Sequence, residues 1–563
     1  MSGEVLQFEN GEKRYLRLAE SAADGGRLVD ALGLYLSALE KRFSLETLAD
    51  IGDIYADMGI YELSNKYWFK YMEAAPAEKV GVAAEELAMN FFYMDNIVAA
   101  GYYFHKKASV DGFISWETMD PEIYNYFHEA ADKRKLYYVA YPESGKDYSR
   151  ELKDAKIALT LGDFDTAEKL YRSVPVGSDK YELATDGLSV TLMLQKKDEK
   201  AIAANKEYIK NAGENLSVLC NLSGIYGLSK DKQKSAYYYE KAKEKDDKSF
   251  DAALKLAACA LDLNIHEDVV KYVKRIVDER PYDKDMRFFL AIGYLNCKMY
   301  QAGYEEFSYV LRLDREDRIT EFYCKFCKKL IEGKSSFEKK LPLKYELDLP
   351  NFEAKRRIDE VNKIYNGEKG KEKYSEKDFK DLLLWAIKRE DGGIAEKALA
   401  SIALWYDKRS EIFKEVLMDS DIKNGVKETL LIFLIAEGYT GKISMVASNI
   451  FVKFKPKKLP FEKLDGGAYF KLGYAVCMAR LAFSDLSDYD KIAVGATKVF
   501  KKFGDKLFDK NSDKSEIASL IAIESGLDGV SDIKAASILF GVREKRIKQI
   551  YDLLNGDNND KNN

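Results

Sequence analysis

The sequence predicts an all-α protein built from repeated helical hairpins. Three observations carry this. Only 9 of 563 residues are proline, which leaves long stretches free to be helical. Apolar residues recur at steps of three and four, the spacing of one helical face. A single pattern also returns at a fixed step of 34 residues through the middle of the chain. It is clearest at Leu216–Ser249, where Leu219, Leu222, Ser223 and Tyr226 form one stripe and Ser235, Tyr239 and Ala242 another. Gly227–Asp231 turns the chain between them.

Frames of this pattern start at Tyr148, Glu182, Leu216, Phe250 and Lys284. The first helix of each carries a small residue: Ala155, Ser189, Ser223, Ala257 and Ala291. A leucine precedes it in four frames (Leu188, Leu222, Leu256, Leu290), and Asp154 breaks the set. The second helix presents Ala167, Ala201, Ser235, Val269 and Gly303, then a larger residue: Tyr171, Asn205, Tyr239, Val273 and Phe307. Small residues let two helix backbones approach, and the larger ones fill the space beside the contact.

This pattern resembles the tetratricopeptide repeat (TPR) from roughly Gly11 to Asp317. The resemblance implies a right-handed solenoid of helix pairs whose first helices line a concave groove, usually for peptides or other helices. Ahead of the in-phase frames, residues 11–147 carry divergent repeats marked by Leu18, Ala19, Tyr35, then Leu48, Ile51, Gly52, Trp68, then Leu87, Ala88, Phe91 and Phe104, with a degenerate one expected over 115–147. A capping helix is expected near Glu321–Lys329, closing the region 148–332.

The groove sites of successive frames are Leu152 and Lys156, Asp186 and Val190, Cys220 and Gly224, Leu254 and Ala258, Phe288 and Ile292. Chaperone-binding TPR proteins hold a chain-terminal carboxylate with five converging Lys, Asn and Arg donors. Here only Lys156, Asn221 and Lys255 have suitable chemistry, and they do not assemble that set. Leu254, Phe288, Ile292 and Leu295 make the rest apolar. Either an amphipathic helix docks there or the protein's own later segment fills it.

Residues 333–377, with Pro342, Pro350 and GEKGKEKYSEKD, read as a charged linker around one helix, Phe352–Ile364. Residues 378–455 return to helix pairs and resemble HEAT repeats, with helices at Phe379–Lys388, Ile394–Tyr406, Ser410–Met418 and Gly425–Glu437. Residues 461–555 form a C-terminal helical domain. Its end, SDIKAASILFGVREKRIKQIYDLL, has the spacing of a helix-turn-helix, with Ala536, Phe540, Val542, Ile547 and Ile550 inward and Gly541 at the turn. It resembles the end of a cyclin-like repeat of the transcription factor B kind. That resemblance implies phosphate or base contacts by Arg543, Lys545, Arg546 and Lys548. The tail, 556–563, is polar and expected to be disordered.

No catalytic motif appears. His105, His128 and His266 stand in separate repeats, Gly441-Lys442 lacks the phosphate-loop spacing, and Cys324-x-x-Cys327 has no second ligand pair nearby. No cofactor or metal is expected. The net charge of −5 gives no global basic field, and six scattered cysteines suit a reduced compartment. No stretch is long and apolar enough to span a membrane. The expectation is a cytoplasmic, non-enzymatic scaffold or adaptor binding a protein or peptide partner through the groove. The alternative is a regulator in which the solenoid senses a peptide or protein and the C-terminal helices contact DNA or RNA.

Overall fold

The structure is a computed structural model. It describes residues 11–111 and 148–556, except 161, 369, 390–392, 406–408, 437–438, 440, 448, 456–467, 484–487, 504–513 and 528. The degenerate repeat expected over 115–147 and the tail beyond 556 lie outside the described residues. The chain divides into two compact units, Met1–Thr118 with Asn351–Asn563, and Met119–Pro350.

In the first unit the chain opens with three helical hairpins: α1 (Gly11–Asp24) and α2 (Leu28–Lys41), α3 (Leu45–Asp57) and α4 (Tyr61–Ala74), α5 (Val80–Tyr93) and α6 (Ile97–Asp111). Their cores hold the residues marked in the sequence, including Ala19, Tyr35, Leu48, Ile51, Trp68, Leu87 and Phe91.

The second unit contains the in-phase repeats: α7 (Ser149–Thr160), α8 (Phe164–Arg172), α9 (Tyr181–Leu194), α10 (Asp198–Ala212), α11 (Leu216–Leu228), α12 (Lys232–Lys243), α13 (Phe250–Leu263), α14 (His266–Glu279), α15 (Lys284–Asn296) and α16 (Tyr300–Leu313), closed by α17 (Arg318–Ile331). Local chemistry sets the frame. The side chains of Asn215, Ser249, Asp283 and Asp317 each accept a hydrogen bond from a backbone N–H of the helix they open. Lys196, Lys230, Asn264 and Lys298 sit in the left-handed region at the turn of their hairpins, where Gly162 stands in the first frame. Each set recurs at the repeat step, so caps and turns share one register with the core. The small residues are all buried. Where two serines meet, each hydroxyl donates to the other's carbonyl: Ser223 Oγ to Ser235 O at 2.9 Å and Ser235 Oγ to Ser223 O at 2.8 Å.

Gly303 marks a close approach of two helices in the last frame. A Cβ there would stand 2.8 Å from Leu295 Cδ2 and 3.2 Å from the carbonyl oxygen of Ala291. Gly303→Leu is expected to cost on the order of 2–3 kcal/mol by overpacking, seen as a lower urea midpoint at unchanged slope.

Past α17 come a short helix, α18 (Ser335–Glu338), and an extended strap, 341–350. The first unit resumes with α19 (Asn351–Tyr365), α20 (Glu376–Ile387), α21 (Ile394–Trp405), α22 (Arg409–Met418) and α23 (Asn424–Ala436). Helices then give way to a β-hairpin, β1 (Ile443–Ala447) and β2 (Ile450–Phe454), paired antiparallel from Ile443↔Phe454 to Ala447↔Ile450. The expectation of helix pairs through residue 455 is corrected here. Both strands are largely buried, so they read as a short apolar run that periodicity cannot tell from helix. Asn449, at a positive φ of 65°, makes the turn.

The hairpin joins the C-terminal half to the N-terminal repeats. Tyr103 of α6 is fully buried between Phe69 and Phe91. Its hydroxyl donates to Asn449 O at 2.8 Å and accepts from Phe451 N at 2.7 Å. Glu73 at the end of α4 holds Lys414 at 2.6 Å with its carboxylate, and its carbonyl accepts from Lys453 at 3.2 Å. The remaining helices, α24 (Ala468–Phe483), α25 (Tyr489–Phe503), α26 (Lys514–Ser525), α27 (Ile533–Phe540) and α28 (Glu544–Gly556), share a core that includes Phe470, Tyr474, Leu481, Ile492 and Ile521.

Candidate peptide-binding groove

Caps, turns and close-packed small residues recur in one register, so the first helices of the second unit (α7, α9, α11, α13 and α15) repeat their positions from frame to frame. The repeats are tetratricopeptide-like. Among their sequence-predicted groove residues the structure separates two groups.

The first is a linked polar row across α9, α11 and α13. Asn221 Nδ2 donates to Asp186 Oδ1 at 2.8 Å and lies 3.3 Å from Asn205 Oδ1. Asn205, which occupies an aromatic position of the pattern, donates to Ser189 Oγ at 2.7 Å, so its buried amide is satisfied. Ser217 Oγ donates to Glu182 at 2.9 Å and accepts from Lys255. Lys255 makes its closest ion pair with Asp251, at 2.9 Å, and reaches Asp186 only at 3.8 Å. Burial raises the Asp186 carboxyl above the ordinary carboxylate range, and the distant Lys255 and the Asn221 amide offset this only in part. Burial opposes the charge of Lys255 too, but there Asp251 and Asp186 win and the ammonium is held more firmly. The row carries three carboxylates and one ammonium.

Beside this row the surface is apolar and open. Leu183 is 58% exposed and Val190 43%. Ala258 is exposed, and an added Cβ on Gly224 would meet nothing within 4 Å. Lys156, in the frame before, is also exposed. The structure thus brings Asn221 and Lys255 onto the same carboxylate, Asp186, with Leu254 part-buried.

The second group is Phe288, Ile292 and Leu295, and all three are buried. Phe288 packs edge-on against Phe307 and Tyr323, with ring centroids 5.2 and 5.1 Å away. The Tyr323 hydroxyl donates to Asp348 O of the strap at 3.1 Å. The apolar end is therefore packed against the neighbouring helices of its own unit.

A separate set of buried carboxylates lies in the first unit. Sequence reasoning passed over Asp50 and Asp53 of α3 and Glu86 of α5. Burial, reinforced by neighbouring carboxylates, raises Asp53 to about 6 and Glu86 to about 7, with Lys107 opposing at Glu86. A raised carboxyl favours the fold at pH below its unfolded value, and that contribution is lost as pH rises through the folded value. Glu86→Gln is therefore expected to raise the melting temperature of this unit at pH 8 and leave it unchanged at pH 4, measured by calorimetry.

The helix-turn-helix residues fall where expected. Ala536, Phe540, Val542, Ile547 and Ile550 are buried, and Gly541 caps α27 at a φ of 67°. Arg543 and Lys545 are exposed. Arg546 forks onto Glu516 at 2.9 and 3.3 Å, and Lys548 lies 4.0 Å from Glu544. Two of the four cations thus face carboxylates of their own unit. Cys324 and Cys327 are buried in α17, where burial raises both thiols. No group of metal-ligating side chains occurs among the described residues, and no described helix is long and apolar enough to cross a membrane.

No protein-family profile matches the chain, and no curated protein does. Similar solved structures include YrrB, a TPR protein with an unusual peptide-binding site, at 11% identity over 32% of this chain and 92% of that one, with a TM-score of 0.24. Another is a tetratricopeptide repeat protein from Parabacteroides merdae, at 8% identity over 56% and 99%, TM-score 0.25. A third is the human IFIT1 dimer with PPP-AAAA, at 9% identity over 84% and 94%, TM-score 0.26. At such scores they carry no ligand, partner or activity over to this chain.

Proposed function

We propose that this protein is a non-enzymatic interaction scaffold. Its open groove, across the frames beginning at Glu182, Leu216 and Phe250, takes a peptide or helix that carries basic residues beside apolar ones. The observation behind this is the pairing of two surfaces on the same helices. Leu183 and Val190 offer apolar contact, with open space over Gly224. Glu182, Asp186 and Asp251 outnumber Lys255 beside them. Apolar anchors supply affinity in such a groove, and complementary charge selects the partner and speeds its arrival.

The test is a peptide array graded by net charge, probed with the full chain and with the double variant Asp186→Lys/Asp251→Lys. Basic amphipathic peptides should be retained by the native chain, more weakly as salt rises. The variant should lose them and prefer acidic peptides. Equal retention of acidic and basic peptides by the native chain would overturn the proposal. Because burial raises Asp186, affinity for basic peptides should also fall as pH drops into the acid range.

The helix-turn-helix reading, with Arg543, Lys545, Arg546 and Lys548 on nucleic acid, has less behind it. Neutralisation of Arg546 by Glu516 removes a cation that such a surface would use.

A further inference from the structure

The strap is bound to its own repeats in the way a foreign peptide would be. Asn296, the last residue of α15, clasps both backbone groups of Leu343: its Oδ1 accepts from Leu343 N at 2.7 Å, and its Nδ2 donates to Leu343 O at 2.8 Å. His266 Nδ1, at the start of α14, lies 2.8 Å from the Tyr345 hydroxyl. The Tyr345 ring packs against the core of α13 to α15, and Tyr323 of α17 holds the carbonyl of Asp348. Leu343 and Leu349 are buried, while Leu347, between them, stays 46% exposed.

A side-chain amide that pairs with both the N–H and the C=O of one residue recognises extended backbone and reads no side chain. Selection then falls to what packs on the repeats: a buried aliphatic residue, a part-buried aromatic two positions on, and a second buried aliphatic four further. Only one frame is so equipped. The position of Asn296 is held by Thr160, Leu194, Leu228 and Asp262 in the other four frames.

We infer that this face, built from His266, Asn296 and Tyr323, is a second peptide site, distinct from the open groove, and that residues 342–349 are its tethered occupant. In trans it takes an extended peptide of the pattern Leu-x-Tyr-x-x-x-Leu. The tether raises the strap's effective concentration to the order of millimolar, so a free peptide competes poorly until the strap is weakened.

The experiment titrates a fluorescein-labelled peptide, LPLKYELDLP, into the full chain and into Leu343→Asp/Leu349→Asp. With the strap released, the double variant should bind peptide at least about tenfold more tightly than the native chain. Adding Asn296→Ala to that variant should reverse the gain, and a peptide with serine for tyrosine should bind weakly. No gain in a variant whose circular dichroism and unfolding match the native chain would overturn the inference. Should the double variant fail to fold, hydrogen exchange on the native chain decides. Saturating peptide should speed exchange at the amide of Leu343, which Asn296 holds, and unchanged exchange there would overturn the inference. Gly224→Trp, which fills the open groove, should leave this binding intact, so the two sites fail separately.

Discussion

Tyr103→Phe is expected to destabilise the first unit by roughly 2–5 kcal/mol, an effect far larger than loss of one exposed hydroxyl. The ring remains, so packing against Phe69 and Phe91 is kept. What disappears is the one atom that both donates to Asn449 O and accepts from Phe451 N. Each backbone group loses its bond in a site where the tyrosine is fully buried. Leaving the buried Phe451 donor unmatched costs about 1–3 kcal/mol, and the part-buried Asn449 acceptor adds a smaller cost. The loss should be cooperative. The residues joined lie 346 positions apart, and the contact links α6 to the hairpin that follows α23. Chemical denaturation should show the transition of this unit moving to lower urea, with that of residues 119–350 unmoved. Hydrogen exchange at the amide of Phe451 should rise with it.

Lys427→Met is expected to stabilise the same unit by about 2 kcal/mol at pH 7. Lys427 is 1% exposed and donates to the carbonyl of Val446 in the hairpin. Burial lowers its pKa from 10.5 to about 8, with Lys388 adding to the effect and Asp419 and Asp421 opposing it. That fall corresponds to roughly 3 kcal/mol of penalty for the charged form, of which the lost bond to Val446 returns about 1. The sign with pH follows. Below about pH 8 the lysine is charged in both states and the whole penalty is present. Between about 8 and 10.5 the unfolded chain binds more protons than the folded one, so stability rises with pH. Above 10.5 the penalty is gone. Native protein should therefore gain stability from pH 8 to 10 in this transition, and Lys427→Met should lack that gain. A substitution that destabilises at pH 7, with the native pH slope retained, would show the lysine to be well matched where it lies.

The helical hairpins were legible because several independent signals shared one step. Ser223, Ser235 and the turn Gly227–Asp231 mark the frame in the sequence, and the caps Asn215 and Ser249 and the turn residues Lys230 and Asn264 fall on the same step in the structure. The hairpin 443–454 was not legible. Strands buried on both faces lose the alternation that separates strand from helix. Nor could the partnership of Tyr103 with Asn449 be read, because nothing local in either stretch refers to the other. At the groove, Asn221 and Lys255 were found because their side chains have donor chemistry beside the groove sites of their frames. Asp251 and Glu182 were missed because carboxylates on a helix are usually solvated, and only the fold shows these two converging on Ser217 and Lys255. Phe288, Ile292 and Leu295 have groove spacing in the sequence, yet they are buried in a unit whose capping helix also binds the strap.

The most direct measurement is the affinity of one basic amphipathic peptide, chosen on the native chain, for Gly224→Trp. The position has open space before it and is not at a positive φ, so the indole enters the groove without disturbing the repeat. The expected result is a loss of at least about tenfold in affinity with the melting temperature unchanged, as a blocked central anchor would give. Undiminished binding would contradict the groove as the place where this scaffold meets its partner.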